Sequence, residues 1–329
     1  MAKATRQPLI LFYNPFFRRW PRIDNLDNAA ACQFSTDRAD LPRADAVVFH
    51  LPSCSEIWNA PKYPGQLWVA ASMESDASHP DQADPDFMRA FDLTMTYRRS
   101  SDAWSPYFGL AHTDELSAPV PAKTAPVPAV LFLSAPQDSC DRLAYLTELM
   151  AHLPADSYGK MLHNRDLDTP DQGRQSKFDT IARYKFYLAF ENSIEPDYVT
   201  EKFFQALAAG TVPVYRGAPN IRDFWPGAEC GIDAADFAGP AELAAYLRAL
   251  DQDDAAYRRY HAWRNQGVSD NFRQLFGPTA RPALARLCDL ILARADPPSG
   301  PRGGATRPLA WRQWLRRAAD GRHAPVQPG

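Results

Sequence analysis

A polar loop, Glu191 to Asp197, runs into Tyr198, Thr200, Glu201 and Lys202. It gathers carboxylates, an amide, hydroxyls and an ammonium within a stretch far more polar than a connection requires. Upstream, Phe186-Tyr187-Leu188-Ala189-Phe190 is an uncharged apolar run. That is the pattern of a strand buried on both faces of a parallel sheet. Downstream, Val199, Phe203, Phe204, Ala206 and Leu207 recur at helical spacing, and Gly210 stands where such a helix should stop. Val212-Pro213-Val214-Tyr215 then reads as the next strand. Strand, loop, helix, strand puts the polar loop at a strand's carboxyl end and a helix N-terminus, where open α/β sheets bind ligands. Lys202 in the first turn of a helix is disfavoured by a few tenths to about 1 kcal/mol. An anionic ligand held there would reverse that penalty.

The same residues carry a resemblance. F-E-N-S-x4-Y-V-T-E-K followed by A-x-x-x-G-x-V-P-V is similar to the signature of the α1,3/4-fucosyltransferases that use GDP-fucose. Ser72-Met73-Glu74-Ser75-Asp76 and Tyr97-Arg98-Arg99-Ser100-Ser101-Asp102 with Pro106-Tyr107 resemble that family's acceptor-side motifs, in the correct order. Asp156-Ser157-Tyr158-Gly159-Lys160 is similar to a further family element. One departure is Ser100, where the family often has an acidic residue after Y-R-R. The resemblance runs from near Leu67 to Gly217 and more weakly beyond. It implies an inverting, GT-B-like glycosyltransferase of the bacterial type, with two Rossmann-like α/β domains facing a cleft. It also implies that Arg142, Asn192, Tyr198, Glu201 and Lys202 contact GDP-fucose, Arg142 on the loosest match. The acceptor it implies is a β-linked N-acetylglucosamine of N-acetyllactosamine, chitobiose or N-glycan core type, fucosylated on its 3-hydroxyl.

Such a reaction sets two demands. Breaking the bond from sugar C1 to phosphate puts negative charge on the diphosphate, which a divalent metal or fixed cations and helix N-termini must meet. The D-x-D triplets at Asp84–Asp86, Asp166–Asp168 and Asp251–Asp253 do not follow apolar runs, so they read as surface segments. Lys202 and Arg142, each in the first turn of an expected helix, are the candidate cations, and no metal is expected. A base must also take the acceptor's proton, and a partly desolvated carboxylate suits this. Glu74, at the end of an expected strand, is the candidate, with Asp76 and His79 as nearby rivals; the resemblance gives the matching glutamate the same role. A single base opposite the leaving group predicts inversion. Two alternatives are the same fold with another donor, such as GDP-mannose, and a non-catalytic glycan- or nucleotide-binding protein.

These residues need elements to hold them. Apolar runs at Leu9–Tyr13, Ala46–Phe49, Gln66–Ala70 and Phe91–Tyr97 predict strands of one small parallel sheet. The proline-rich stretch around Pro119, Pro121, Pro126 and Pro128 predicts a linker over 119–128. That gives an acceptor-binding domain over 1–118 and a donor-binding domain over 129–297. In the latter, strand Ala129–Leu133, a helix over 141–152, a short helix over 177–185, a βα repeat over 229–250 and helices over 254–266 and 280–295 are expected. The last of these is a candidate to cross back onto the first domain. A tail over 298–329, with Trp311, Trp314 and many arginines, suits a weak membrane-surface contact or a cap on the body. Aromatics in loops (Phe16, Phe17, Trp20, Trp58, Trp104 and Tyr107) are candidates to stack on sugar rings.

Composition sets the outer bounds. With 329 residues there is room for two ordinary domains, and a net charge of −3 gives no global attraction to nucleic acid. Five scattered cysteines (Cys32, Cys54, Cys140, Cys230, Cys288) form no C-x-x-C pair, so a reduced, cytoplasmic chain is expected. The N-terminal apolar run is too short for a membrane span.

Overall fold

The computed structural model describes residues 7–21, 31–54, 57–294 and 303–306. They divide into two compact units: one runs to Ser105 and resumes at Arg281, the other spans Pro106–Ala280.

In the first unit, β1 (Leu9–Phe12), β2 (Gln33–Ser35), β3 (Ala46–His50), β4 (Leu67–Ser72), the short helix α1 (Pro85–Met88) and β5 (Leu93–Thr96) follow in turn. The strands pair in the order β2-β1-β3-β4-β5, all parallel. The four expected strands form. The short edge strand β2, partly exposed, carries no apolar run and was not expected. Alternation along the strands divides the core: Ile10, Phe12, Ala46, Val48, Val69 and Ala71 face one side. Leu11, Val47, Phe49 and Trp68 face the other.

The second unit holds α2 (Thr113–Leu116), β6 (Ala129–Leu131), α3 (Arg142–His152), β7 (Ala155–Ser157), α4 (Arg174–Ala182), β8 (Phe186–Phe190), α5 (Glu201–Ala208) and β9 (Val212–Arg216). Then come β10 (Ile232–Asp233), α6 (Pro240–Gln252), α7 (Asp254–Arg259) and α8 (Asp270–Phe276). The strand order is β10-β9-β8-β6-β7, again parallel, with β8 central. Leu146 and Leu149 of α3 pack with Leu243 and Leu247 of α6 over Phe186, Leu188 and Val214. Phe203, Phe204, Ala206 and Leu207 of α5 are buried on the helix side expected from their spacing. The helix expected over 254–266 ends at Arg259 as α7 and continues only as a 3-10 turn over 262–266, while α8 was not expected.

The chain then returns as α9 (Ala283–Arg294), whose Leu287, Cys288 and Ile291 cover the Ile10–Val48–Val69 face of the first sheet. Without it that face would be open, since a parallel sheet must be covered on both sides. The division between units falls at 105/106 rather than in the proline stretch 119–128. Packing explains the shift. Phe108 stacks on Phe204 at 4.6 Å. Arg264 donates to the carbonyls of Leu116 and Ala118, and Lys123 Nζ donates to those of Ala182 and Gly210. The prolines therefore lie against the second unit.

Cys32 and Cys288 form a disulfide across 256 residues of sequence, with Cα atoms 6.1 Å apart. This corrects the expectation of a fully reduced chain and removes the cysteine support for a cytoplasmic location. Sequence spacing gave no hint of the pairing, because only the return of α9 brings Cys288 to β2. Of the tail, only residues 303–306 are described, and there Thr306 pairs with Lys62. The part bearing Trp311 and Trp314 lies outside the described residues.

Candidate active site

The strand order of the second unit reverses between β6 and β8, so the loops leaving these two strands flank the switch point where such sheets bind ligands. Glu191, the first residue after β8, has a side chain with 0% exposure. Its Oε1 accepts from the Thr200 backbone N–H and Oγ1, both at 2.8 Å. Its Oε2 accepts from Lys202 Nζ at 3.0 Å. Thr200 also caps α5, accepting from the Lys202 backbone N–H. Lys202 Nζ lies 3.0 Å from Thr200 Oγ1 and 3.8 Å from Glu201 Oε1. The carboxylates thus answer the unfavourable placement of a lysine at the helix start. Burial would strip its proton, yet the charges of Glu191 and Glu201 win and raise its pKa. Glu191 is pushed up by burial, against the opposing pull of Lys202. Burial also works against Glu201's charge, but Lys202 and Lys177 bring its pKa below the ordinary value.

Lys177, on α4, stands 3.7 Å from Glu201 Oε1 and over the Tyr187 ring. Tyr198 is buried, its carbonyl accepts from Tyr215 Oη, and its ring meets Tyr107 edge-on at 6.2 Å. At Gly217 a Cβ would come within 2.6 Å of Glu191 Cγ and 2.4 Å of Tyr215 Oη, so only glycine leaves room for this arrangement.

The loop after β6 closes the other side. Ser139 donates through its backbone N–H and Oγ to the Asn192 carbonyl. Asp138 accepts from the backbone N–H groups of Arg142 and Leu143, both at 2.8 Å, and so caps α3. Burial works against its charge, but these amides and that of Cys140 bring its pKa below the ordinary value. Arg142 reaches the switch point but is 1% exposed. Its Nη atoms donate to the carbonyls of Phe190, Ala135 and Gln137. Its Nε and Asn192 Oδ1 are buried without hydrogen-bond partners among the described residues. Asn192, Tyr198, Glu201, Lys202 and Arg142 are therefore brought together. Sequence reasoning assigned no role to Glu191, Lys177 or Arg216. Arg216, at the end of β9, donates to the Cys140 carbonyl at 2.7 Å and lies over Tyr145. Glu191 was legible as the first polar residue after the apolar strand; Lys177 lies on the short helix expected over 177–185, which forms as Arg174–Ala182, but nothing in its spacing pointed to Glu201.

In the first unit Glu74 follows β4 and is half-buried, its backbone N–H donating to Ser72 Oγ at 3.1 Å. Asp76 is held in an ion pair with Arg98, so the Y-R-R segment braces the turn after β4. His79 closes that turn, its N–H donating to the carbonyls of Ser75 and Asp76, and burial lowers its pKa. At the end of β3, His50 is 3% exposed, and burial, with a smaller contribution from His79, lowers its pKa to about 4. Phe16 stacks on His50, while Phe17 and Trp20 are exposed. Trp104 is instead buried, donating to the Tyr97 carbonyl, and is no sugar platform. The Trp58 side chain lies outside the described residues.

The D-x-D aspartates have structural work. Asp84 caps α1, Asp86 pairs with Arg89, Asp168 with Arg183, Asp251 with Lys185, and Asp253 caps α7. Among the described residues no helix is long and apolar enough to cross a membrane.

Two parallel α/β units, the second with a charged cluster at its switch point, have the architecture of the GT-B glycosyltransferase fold. A solved structure named as α1,3-fucosyltransferase with GDP-fucose shares the fold, with a TM-score of 0.59 and 18% identity over 92% of this chain and 95% of that one. The chain belongs to glycosyltransferase family 10 (fucosyltransferase): residues 120–296 match the family's C-terminal model and residues 5–108 its fucosyltransferase N-terminal model. It is 38% identical to the 4-galactosyl-N-acetylglucosaminide 3-alpha-L-fucosyltransferase FUT6 of Gorilla gorilla gorilla, over 78% of this chain and 73% of the relative. It is 32% identical to the GDP-fucose protein O-fucosyltransferase 3 of Mus musculus, over 83% of this chain and 60% of the relative. Of a fucosyltransferase-like protein of Arabidopsis thaliana, 38% identical, the chain spans 44% of the length. These relatives are animal and plant proteins, so they do not single out a bacterial branch.

Proposed function

We propose that this protein transfers L-fucose from GDP-fucose to the 3-hydroxyl of an N-acetylglucosamine in a glycan, with inversion at the fucose carbon. The carrying observation is the Glu191–Thr200–Lys202–Glu201 cluster at the start of α5, on the loop leaving the central strand. A protonated lysine at a helix N-terminus, fixed by the buried Glu191 and the part-exposed Glu201, is preorganised for the charge that grows on a departing diphosphate. Lys202 meets that charge directly. Arg142 adds positive potential from behind the loop after β6, and the diphosphate competes with loop carbonyls for its guanidinium. Glu201 and Tyr198 hold the ribose and phosphate. Lys177 keeps Glu201 ionised and so ready to accept hydroxyl hydrogen bonds. Glu74 takes the proton from the acceptor hydroxyl as that oxygen attacks C1; the electron pair of the broken bond leaves on GDP. Asp76, held by Arg98, is the rival base. The FUT6 relative supports the glycan acceptor by its name.

The test is product analysis after incubation with GDP-fucose and a panel of N-acetyllactosamine, chitobiose, N-glycan core and serine/threonine peptides, with GDP-mannose as a second donor. The expected product is an α1,3-fucosylated glycan, made from GDP-fucose alone. Transfer only to peptide, or only from GDP-mannose, refutes the assignment. Glu74→Gln should keep GDP binding while turnover falls by about 10²–10⁴-fold, the usual weight of a general base. Lys202→Ala should lose both. Near-normal turnover in Glu74→Gln would transfer the base role to His79 or Asp76.

A further inference from the structure

A pocket in the first unit, not used above, opens between the 3-10 turn Leu51–Ser53 that follows β3 and the 3-10 turn Pro80–Ala83. Its cavity volume is about 50 Å³, room for a small substituent rather than for a whole ligand, whose sites run to roughly 300–1,000 Å³. The apolar lining is Leu51, Ile57 and Phe87, the last two buried; His79, Asp81 and Gln82 supply the polar lining. Gln82 Nε2 is buried and has no hydrogen-bond partner among the described residues. A partnerless amide donor in the wall of an apolar-floored pocket suits a substituent that brings both a small apolar group and an acceptor, which a turn of the Gln82 side chain would meet.

The pocket's position indicates which ligand. His79 lines it, and the His79 N–H bonds to the carbonyls of Ser75 and Asp76, so the pocket begins one turn after Glu74. On an N-acetylglucosamine ring the reacting 3-hydroxyl and the 2-acetamido group are neighbours. A base that holds the first leaves the second pointing at whatever lies beside that base.

We propose that this pocket receives the acetamido group of the acceptor: its methyl packs on Leu51, Ile57 and Phe87, and its carbonyl oxygen accepts from Gln82 Nε2. The inference rests on the proposed transfer to N-acetylglucosamine and adds the residues that select it. A hydroxyl in place of the acetamido group carries neither the methyl nor the carbonyl, and it leaves Gln82 without a partner.

The experiment compares kcat/KM for N-acetyllactosamine and for lactose, which has a hydroxyl at that position, in the wild type, Gln82→Leu and Leu51→Trp. GDP-fucose binding is measured by calorimetry in each. The wild type should favour N-acetyllactosamine by roughly 10- to 100-fold, the scale set by leaving one buried donor unsatisfied. In both variants that ratio should shrink to a few-fold. A wild-type ratio near one, or variants that slow both acceptors in equal proportion, overturns the pocket's role while donor binding persists. Loss of GDP-fucose binding in the wild type itself would instead sink the donor assignment, and this inference with it.

Discussion

Replacing Glu191 tests the site from its least visible member. The carboxylate is fully buried between Thr200 donors on Oε1 and Lys202 Nζ on Oε2. In Glu191→Gln the shape survives, but a carboxamide has only one acceptor oxygen. Whichever way it turns, its NH₂ must face a donor: the Thr200 N–H or the Lys202 ammonium. Leaving a buried charged group unpaired in this way costs about 3–5 kcal/mol, a large part of an ordinary domain stability of about 5–15. A double-mutant cycle with Lys202→Met, read by urea unfolding at pH 7, isolates the pair. Glu191→Gln alone should cost about 3 kcal/mol, and adding Lys202→Met should restore much of that, with a coupling of about 2 kcal/mol. Because the folded-state pKa of Lys202 lies above the ordinary 10.5, its contribution is complete below that pH and is lost only as pH rises through the folded value. The coupling should therefore be unchanged from pH 7 to 9. Additive single-mutant costs, within about 0.5 kcal/mol, would refute the pairing argument.

Other outcomes follow from the same geometry. Reduction, or Cys288→Ser, opens a loop spanning 256 residues and releases α9. Stability of the first unit should fall by about 2–4 kcal/mol, and identical melting of oxidised and reduced protein would argue against the bond. His50 titrates near 4 when folded against an ordinary 6.5, so the unfolded chain binds the extra proton between those values. Its stabilisation is complete above 6.5 and lost as pH falls toward 4, up to roughly 3 kcal/mol, and His50→Gln should flatten that part of the acid-unfolding curve. Since Lys202 and Arg142 are assigned the diphosphate's charge, turnover should survive EDTA; a strict metal requirement would overturn that assignment.

Much of the second unit's working edge was legible in the chain. The apolar run Phe186–Phe190, the cap Thr200, the helical spacing of Phe203 and Leu207 and the stop at Gly210 are local signals, and β8, α5 and β9 formed where they predicted. Edge strands β2 and β7 were missed because three residues are too few to show a period, and β7 reads Ala-Asp-Ser with no apolar run. Arg142 falls in the first turn of a helix as its sequence predicted, yet its capture by the carbonyls of Ala135 and Gln137 depends on how the loop after β6 folds back. No spacing rule announces that.

What the sequence alone determined is the periodic and polar content: which runs are strands, which loop carries the charges, and where Glu74 and Lys202 fall relative to strand ends. Only tertiary structure decided that α9 leaves the second unit to cover the first sheet, that Cys32 meets Cys288, that Glu191 is buried against Lys202, and that Gln82 faces a pocket. The reason is physical. Hydrogen-bonded elements form from neighbours within a few residues, whereas burial of a sheet face, closure of a long loop and pairing of a desolvated charge depend on surfaces distant in the chain.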